Sequence, residues 1–520
     1  MWNPFNKKKK DYSQQSNEFN FIRREGSMLM DGNSVFRWVS YNVPNLLLLE
    51  DRPPCLYGFP VCRREVSKPA VDSNGYSYGL EEGKSCIVPK NERIDGSQWV
   101  IPNPWEQEDA IQSVSAVAGR VIRTYTLAVG PTYHICGIRT YFEPAFVAID
   151  NALAIARKHR IRLMIPIINN HWGGDSNKSM AFGDYGAFAA LRGLPPSAFF
   201  TNCTIRDDFK HLIGFLLNRV NSVNSIRYCN DECILGWQLG NELGGWDESP
   251  PPAQWTLEMA SLIKQLAPNT LVIDGMMGGL DAPSRFDKSL LNSPLVDVFS
   301  CHYYYGLSDL FRVKRDAKYV HGFAKGFVCD EFGLCTTSTI ESLVNSIMPE
   351  SSHVSGVNLW SLRYHSEFGG FYRHFEKDSH WSYHVPGFPA VTGFVKDERR
   401  IVQFMRKCAL KIAGLPSSLP YPVPNAPSIA TLNTTPITPL AIRFRGSAAA
   451  AYYKIYRSQD DKATWKLLSG QVYDNVGWSD AIYCDETSSK GIEYFYKVEA
   501  VSLDGAVSND CLILGPLMII

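Results

Sequence analysis

The feature that most limits the fold of this chain is a regular alternation between short apolar runs and longer amphipathic stretches. The stretches have helical spacing; in residues 143–159, for example, Phe146, Ile149, Leu153 and Ala156 recur at steps of three and four. The apolar runs are typical of parallel strands buried on both faces. They lie at 35–41, 119–125, 162–168, 233–240, 271–275, 296–303, 326–333 and 354–360. Eight strands, each followed by a crossover, predict an α/β fold of the closed (β/α)8 TIM-barrel type.

The pattern also predicts how the 520 residues divide into domains. Residues 1–18 are polar and lysine-rich and are expected to form a mobile tail. The barrel occupies 19–414, with a loop insertion rich in proline, glycine and cysteine at 50–104. Residues 415–439 have the composition of a linker. From 440 to 520 the apolar period changes to two, which predicts a small all-β immunoglobulin-like sandwich.

Composition and motifs exclude several classes of function. Lysine plus arginine equals aspartate plus glutamate, at 52 each, so no basic surplus favours a nucleic-acid partner. The sequence contains no apolar run of about 18 residues, which is the length that a membrane-spanning helix needs. An open doubly wound sheet is the rival fold, but no glycine-rich phosphate loop follows the first strand. The sequence also lacks a serine-nucleophile elbow, a phosphate-binding P-loop and a zinc-protease helix motif.

Two glutamates stand where a barrel places its active site, at the carboxyl ends of the strands. Asn241 and Glu242 follow the fourth run, and Glu331 lies in the seventh. Carboxylates from opposite sides of one barrel can converge. A pair about 5–5.5 Å apart performs retaining glycoside hydrolysis, in which one group protonates the leaving oxygen and the other attacks the anomeric carbon.

Three further residues at strand ends fit the same chemistry. Arg123 ends the second run and supplies a cation that would keep a nucleophilic carboxylate ionised. His302 and Tyr304 stand at the end of the sixth run and supply hydrogen-bond donors. No metal or organic cofactor is needed for this reaction, and none is expected.

These residues resemble glycoside hydrolase family 5, whose catalytic glutamates lie on strands four and seven. The resemblance covers roughly 19–413. It is most specific in IPIINNHWGG and in AFFTNCTIRDDFKHLIGFLLNRVNSVNSIRYCNDECILGWQLGNELGG, which are similar to the endo-β-1,4-mannanases of that family. Separately, YYKIYRS and EYFYKVEAVSLDGAVSN in the last fifth of the chain resemble a fibronectin type III module, with Tyr494 as the candidate tyrosine corner.

The family resemblance implies a role for each matching residue. Glu242 would be the acid/base, Glu331 the nucleophile, and Asn241 a hydrogen-bond partner of the substrate 2-hydroxyl. Trp360 would be a sugar platform, and Trp172 is expected to stack on a sugar ring. The full set of expected substrate-binding residues is Arg123, Asn170, Trp172, Asn241, His302, Tyr304 and Trp360.

The predicted function is therefore a retaining glycosidase that cleaves β-1,4-linked mannan-type polysaccharides or oligosaccharides. An exo-acting β-mannosidase and a β-1,4-glucanase remain alternatives, because one fold hosts several specificities. A non-catalytic carbohydrate-binding protein is the alternative from another class. The polar N-terminus shows no signal peptide, which makes a cytoplasmic location the default expectation, although members of the resembling family are mostly secreted.

Overall fold

Eight parallel strands close into a barrel in this computed structural model. The described residues are 19–52, 70–71, 77–81, 84–87, 98–130, 133–170, 183–245, 250–279, 282–376, 380–392, 395–431, 440–475 and 481–519. The barrel strands are β1 (Trp38–Asn42), β2 (Val121–Arg123), β3 (Arg162–Asn169), β4 (Ile234–Asn241), β5 (Leu271–Ile273), β6 (Val298–Tyr303), β7 (Gly326–Gly333) and β8 (Gly356–Trp360). Each pairs with the next, and β8 pairs with β1, so the sheet has no open edge.

The barrel confirms the strand pattern of the sequence, although several strands are shorter than the predicted runs, such as Val121–Arg123 within 119–125. β3, β4 and β7 are buried along their whole lengths, as strands covered on both faces must be. The first strand begins at Trp38 rather than at residue 35. Ser34–Val35 instead pairs with Met28–Asp31, which also pairs with Ile22–Glu25 in a small antiparallel sheet.

Helices cover the outside of the barrel, and local sequence motifs determine where some of them begin. They are α1 (Pro104–Ala116), α2 (Glu143–Lys158), α3 (Tyr185–Ala190), α4 (Cys203–Asn218), α5 (Ala253–Leu266), α6 (Ala282–Arg285), α7 (Lys288–Asn292), α8 (Asp309–His321), α9 (Thr337–Ile347) and α10 (Glu398–Ile412). α1 begins with a capping box, in which Asn103 accepts the Glu106 N–H at 3.0 Å and Glu106 accepts the Asn103 N–H at 3.2 Å. Within the described residues, no helix is long and apolar enough to cross a membrane.

Much of the predicted insertion at 50–104 and all of the predicted tail lie outside the described residues. The ends of the insertion meet, because Leu49–Arg52 and Gln98–Val100 pair as antiparallel strands. Between them, Ala70–Val71, Ser77–Glu81 and Lys84–Ile87 form a small antiparallel sheet. Another short pair, Ile135–Gly137 with Thr140–Tyr141, precedes α2.

The C-terminal part of the chain contains two antiparallel sheets around a separate apolar core. Its strands are β9 (Leu440–Ile442), β10 (Tyr452–Ser458), β11 (Lys466–Val472), β12 (Tyr483–Asp485), β13 (Glu493–Val501) and β14 (Leu512–Met518). β9 pairs with β12, and the other four pair in the order β11-β10-β13-β14. The alternating side chains Tyr494, Tyr496, Val498 and Ala500 of β13 are buried in this core, as the period of two predicted.

A buried histidine joins the barrel to the C-terminal sheets. His365 follows β8, and its Nδ1 lies 2.8 Å from Asp109 of α1 while its Nε2 lies 3.1 Å from Asp474 beyond β11. Burial lowers the pKa of His365, but the charges of Asp109 and Asp474 outweigh burial and raise it to about 10. The imidazolium is therefore the charge that compensates two buried carboxylates.

Replacing His365 with alanine is expected to lower the free energy of unfolding by about 3–5 kcal/mol, because both aspartates lose their buried counter-ion. The pKa of His365 is higher in the folded chain than the ordinary value of about 6.5. Its stabilisation is therefore complete below pH ~6.5 and disappears as the pH rises through about 10. Urea unfolding of wild type and His365→Ala between pH 6 and 10 measures both effects. His211→Ala, at an exposed hydrogen bond with Tyr141, is the control and is expected to change little. A difference between wild type and His365→Ala that does not shrink with rising pH contradicts this role.

Candidate active site

The predicted catalytic glutamates meet at the carboxyl end of the barrel. Glu242 directly follows β4 and Glu331 lies near the end of β7, and both are almost fully buried. One carboxylate oxygen of each, together with a ring nitrogen of His302, lies within 4.8 Å of the other two atoms. This separation agrees with the shorter of the two carboxylate spacings found in glycosidases, the one used in retaining hydrolysis.

Arg123 contacts one member of this pair, Glu331. Its guanidinium is fully buried, and Nη1 donates to Glu331 at 2.6 Å while Nη2 donates to Asn241 at 2.6 Å. Its Nε donates to Gln238 at 2.9 Å and lies 3.4 Å from Asp330. A guanidinium with this many acceptors has a fixed orientation, so it fixes the position of Glu331 as well as compensating its charge.

His302 lies between the carboxylates. Its Nδ1 is 2.9 Å from Glu242 and 3.2 Å from Glu331, and its Nε2 is 3.3 Å from Asp330. Burial lowers the pKa of His302, but the charges of Glu331 and Asp330 outweigh burial and raise it to about 10. The ring is therefore an imidazolium at neutral pH.

The Glu331 carboxylate also accepts a hydrogen bond from the Tyr304 hydroxyl, at 2.7 Å. Burial raises the pKa of Glu331 above its ordinary value, and the charges of His302 and Arg123 reduce that rise without cancelling it. The neighbouring Asp330 shows the opposite balance, because burial raises its pKa but His302 and Arg123 lower it below the ordinary value. Ionised Glu331 thus depends on the two cations beside it.

Glu242 has an unusual backbone conformation. Its φ is +55°, in the left-handed region that residues with a Cβ rarely adopt. Asn170, which follows β3, donates from Nδ2 to the Glu242 carbonyl at 3.0 Å, and Gly245 N–H donates to the same carbonyl at 2.9 Å. These bonds support the turn that points the Glu242 side chain at His302.

The other predicted site residues are distributed as follows. Asn241 is buried, and its Nδ2 donates to Asn169 at 3.0 Å while its Oδ1 accepts from Arg123. Trp360 ends β8, is partly exposed, and meets the Tyr125 ring edge-on with centroids 5.9 Å apart. Trp172 lies outside the described residues, so its expected stacking role stays a prediction. The structure brings together the other eight predicted residues at one end of the barrel.

Several site residues were not predicted from the sequence. They contact either Arg123 (Asn42, Gln238 and Asp330) or Trp360 (Tyr125 and Glu376). Asn42 ends β1 and binds Arg123 at 3.2 Å, so the strand-end criterion that selected Arg123 could have found it. Asp330 was not predicted because neighbouring residues along a strand point to opposite faces, and its neighbour Glu331 was assigned to the site. The register of β7 against β8 shifts between Cys329 and Phe332, and this irregularity lets both Asp330 and Glu331 face the site.

Within the described residues, one group of side chains meets the spacing needed to bind a metal ion: Glu242, His302 and Glu331. The cations Arg123 and His302 already balance carboxylate charge there. The arrangement therefore matches acid/base and nucleophilic chemistry by two carboxyl groups, supported by protein cations.

Part of this chain is similar in sequence to known proteins. Residues 141–336 match the family described as GH family 5 beta-mannosidase-like. The chain is 35% identical over 150 residues to putative mannan endo-1,4-beta-mannosidase 5 of Oryza sativa subsp. japonica, which covers 28% of this chain and 30% of that protein. It is 34% identical over 156 residues to mannan endo-1,4-beta-mannosidase 7 of Arabidopsis thaliana, covering 29% and 35% respectively. The chain thus spans about a third of the length of these relatives.

Solved structures show the same fold at low sequence identity. The endo-beta-1,4-mannanase from Thermotoga petrophila superposes with a TM-score of 0.53 at 16% identity, covering 92% of this chain and 98% of that one. A family 5 mannosidase from Rhizomucor miehei in complex with mannosyl-fructose gives a TM-score of 0.54 at 16% identity, covering 76% and 99%. Over 141–336 the chain is similar to the family 5 glycoside hydrolases, and the superpositions show that it shares their barrel.

Proposed function

We propose that this chain is a retaining glycoside hydrolase that cleaves β-1,4-mannosidic linkages within mannan-type polysaccharides. The observation that carries the proposal is the pair of buried carboxyl groups, Glu242 and Glu331, at the ends of strands four and seven of a closed barrel, with one oxygen of each within 4.8 Å of the other. The relatives named above are mannan endo-1,4-beta-mannosidases, which supports mannan as the substrate.

Glu331 is the proposed nucleophile. The hydrogen bonds from Arg123 and Tyr304 stabilise its ionised form, which attack requires. In the first displacement a Glu331 oxygen bonds to the anomeric carbon, the glycosidic C–O bond breaks, and its electron pair stays on the leaving oxygen. That oxygen takes a proton from Glu242.

Glu242 is the proposed acid/base. Counting charges in the buried cluster supports this assignment: Arg123 and His302 are two cations, and ionised Asp330 and Glu331 balance them. A neutral, protonated Glu242 leaves the cluster without net charge, which is the least costly state for a buried group. In the second displacement Glu242 removes a proton from water, the water oxygen bonds to the anomeric carbon, and the bond to Glu331 breaks.

The substrate assignment is tested by the products formed from mannohexaose. An endo-acting enzyme releases a mixture of short oligosaccharides, whereas an exo-acting β-mannosidase releases mannose and leaves mannopentaose as the one new oligosaccharide at early times. Carboxymethyl-cellulose and β-mannan measured in parallel separate glucanase from mannanase activity. Release of sugar from glucan at a rate equal to or above that from mannan would overturn the mannan assignment.

Replacing Arg123 with glutamine is expected to move the acidic limb of the kcat/KM profile to higher pH by at least about one unit. Arg123 opposes the effect of burial on the Glu331 pKa, so its loss raises that pKa and protonates the nucleophile over a wider pH range. Arg123→Lys keeps the charge and is the matched control, with a smaller displacement expected. A thermal melt of each variant checks folding. An acidic limb that stays in place in Arg123→Gln would contradict the role of this cation.

We also propose that the C-terminal unit is a fibronectin type III-like sandwich, and that the chain divides at 19–414 and 440–520 with a linker at 415–439. Two antiparallel sheets around one core support this fold. The Tyr494 hydroxyl accepts the backbone N–H of Ser489 at 3.0 Å, a contact of the tyrosine-corner kind.

In the segment between the two units, Tyr421 packs against the Arg406 guanidinium, with 4.1 Å between the ring centre and the guanidinium carbon. This contact connects the segment to α10.

A further inference from the structure

The aromatic side chain at the end of β8 is held by a carboxylate that the proposed reaction does not use. The indole Nε1 of Trp360 donates to Oε1 of Glu376 at 2.6 Å, and the Glu376 side chain is only 15% exposed. A hydrogen bond to an ionised acceptor is about twice as strong as one between neutral groups. This contact therefore limits rotation of the indole ring about its own bonds.

Glu376 is itself fixed by the backbone. It lies in a hairpin after β8, where its N–H donates to the His380 carbonyl at 2.8 Å. At the base of the hairpin, Tyr383 N–H donates to Ser361 O and Arg363 N–H donates to Tyr383 O, both at 2.8 Å. The hairpin is thus hydrogen-bonded to the residues that directly follow Trp360. The backbone segments that carry the carboxylate and the indole are therefore hydrogen-bonded to each other.

The Trp360 ring is close to the proposed reaction centre. Trp360 pairs with Gly333 in the β7–β8 ladder, two residues beyond the proposed nucleophile Glu331. The Trp360 and Tyr125 rings meet in an edge arrangement, with centroids 5.9 Å apart and an interplanar angle of 60°. Tyr125 in turn lies near Glu242 and Glu331, whose charges add to the effect of burial in raising its pKa, so a sugar bound at Glu331 is expected to reach the Trp360 ring. Stacking on an aromatic face depends on the orientation of the ring plane.

We propose that Glu376 is a positioning residue that fixes the plane of the Trp360 indole for sugar stacking. The proposal rests on the proposed function, because it assumes a sugar substrate at this end of the barrel. Without the carboxylate, the indole N–H loses its acceptor and the ring is held by packing alone. The ring then binds substrate and transition state less well by the same amount, which raises KM and leaves kcat unchanged.

The first test is a set of three variants assayed on mannohexaose. Glu376→Ala is expected to raise KM about tenfold and to keep kcat within about threefold of wild type. Glu376→Gln retains an oxygen acceptor for the indole and is expected to restore KM to within about threefold of wild type. Glu367→Ala is the matched control, since Glu367 lies in the same segment with a side chain also 15% exposed but contacts Arg445 and Thr431 instead. Its KM is expected to equal that of wild type.

A double-mutant cycle with Trp360→Phe tests whether Glu376 changes KM through the Trp360 indole. Phenylalanine keeps an aromatic face but has no N–H to donate, so Glu376→Ala is expected to change KM by less than about twofold in the Trp360→Phe background. Equal effects of Glu376→Ala in both backgrounds, or a wild-type KM in Glu376→Ala, would overturn the proposal.

The same cycle is measured by calorimetry as mannohexaose binding in the Glu331→Ala background. The expected change is a rise of about tenfold in Kd for Glu376→Ala when Trp360 is present, and less than about twofold when it is phenylalanine. This readout does not depend on turnover. A wild type that binds mannohexaose but releases no sugar contradicts the proposed function, whereas additivity in the binding cycle contradicts the role of Glu376.

Discussion

Glu331→Ala is expected to lower kcat on β-1,4-mannan by at least about 10⁴-fold, because the variant has no group to form the covalent bond with the anomeric carbon. Reducing-sugar release from purified wild type and variant measures the loss. Since alanine also removes the acceptor of the Arg123 and Tyr304 hydrogen bonds, Glu331→Gln, which keeps an oxygen acceptor, is assayed as well, and thermal melts establish that both variants are folded. Glu341→Ala is the control, because Glu341 pairs with Arg400 on the outer helices, away from the mouth of the barrel.

Two results would contradict that expectation. Residual activity of Glu331→Ala within about tenfold of wild type would remove Glu331 from the nucleophile's role. Equal and negligible sugar release by wild type and Glu331→Ala, with mannohexaose still bound by both, would instead support the non-catalytic carbohydrate-binding protein that the sequence left as an alternative.

Glu242→Ala is expected to lower kcat/KM on mannan by about 10²–10⁴-fold, the range for loss of a general acid/base. The loss should depend on the leaving group. A mannan alkoxide must be protonated as it departs, whereas a dinitrophenolate leaves without a proton, so the first displacement of a dinitrophenyl β-mannoside should be far less affected. Burst kinetics with this substrate measure that displacement separately from the hydrolysis of the glycosyl-enzyme.

An equal loss of the first-displacement rate on both kinds of substrate would contradict the assignment of Glu242 as acid. Asn170→Ala provides a useful comparison. Asn170 donates to the Glu242 backbone carbonyl rather than to its carboxyl group, so its loss disturbs the position of the acid but keeps the proton donor. A leaving-group dependence in Glu242→Ala that is absent from Asn170→Ala assigns the proton to the Glu242 side chain.

Most of the barrel could be predicted from the sequence because a strand that is buried on both faces is apolar along its length. β3, β4 and β7 are buried on both faces, and each appears in the sequence as an apolar run with its polar residue at the carboxyl end. Since all eight strands are parallel, these polar ends gather at one mouth. Glu242 and Glu331 could therefore be paired from the sequence although 89 positions separate them.

The residues that the sequence did not reveal depend on contacts that local patterns do not encode. Asp330 faces the site because of an irregularity in β7, and strict alternation would have placed it on the opposite face. Glu376 reaches Trp360 through the fold of a loop, and no periodicity marks that contact. The charge state of His302 likewise depends on three carboxylates from the ends of two strands, Glu242 after β4 and Asp330 and Glu331 in β7, which only the closed barrel brings together.

The most direct test of the two-displacement mechanism is the anomeric configuration of the first product. Mannohexaose is hydrolysed by the wild type in deuterated buffer and followed by proton NMR within the first minutes, before mutarotation mixes the anomers. Two displacements, one by Glu331 and one by water, predict that the new reducing end appears first as the β-anomer. Early appearance of the α-anomer would mean a single displacement by water, and would contradict the assignment of Glu331 as a nucleophile.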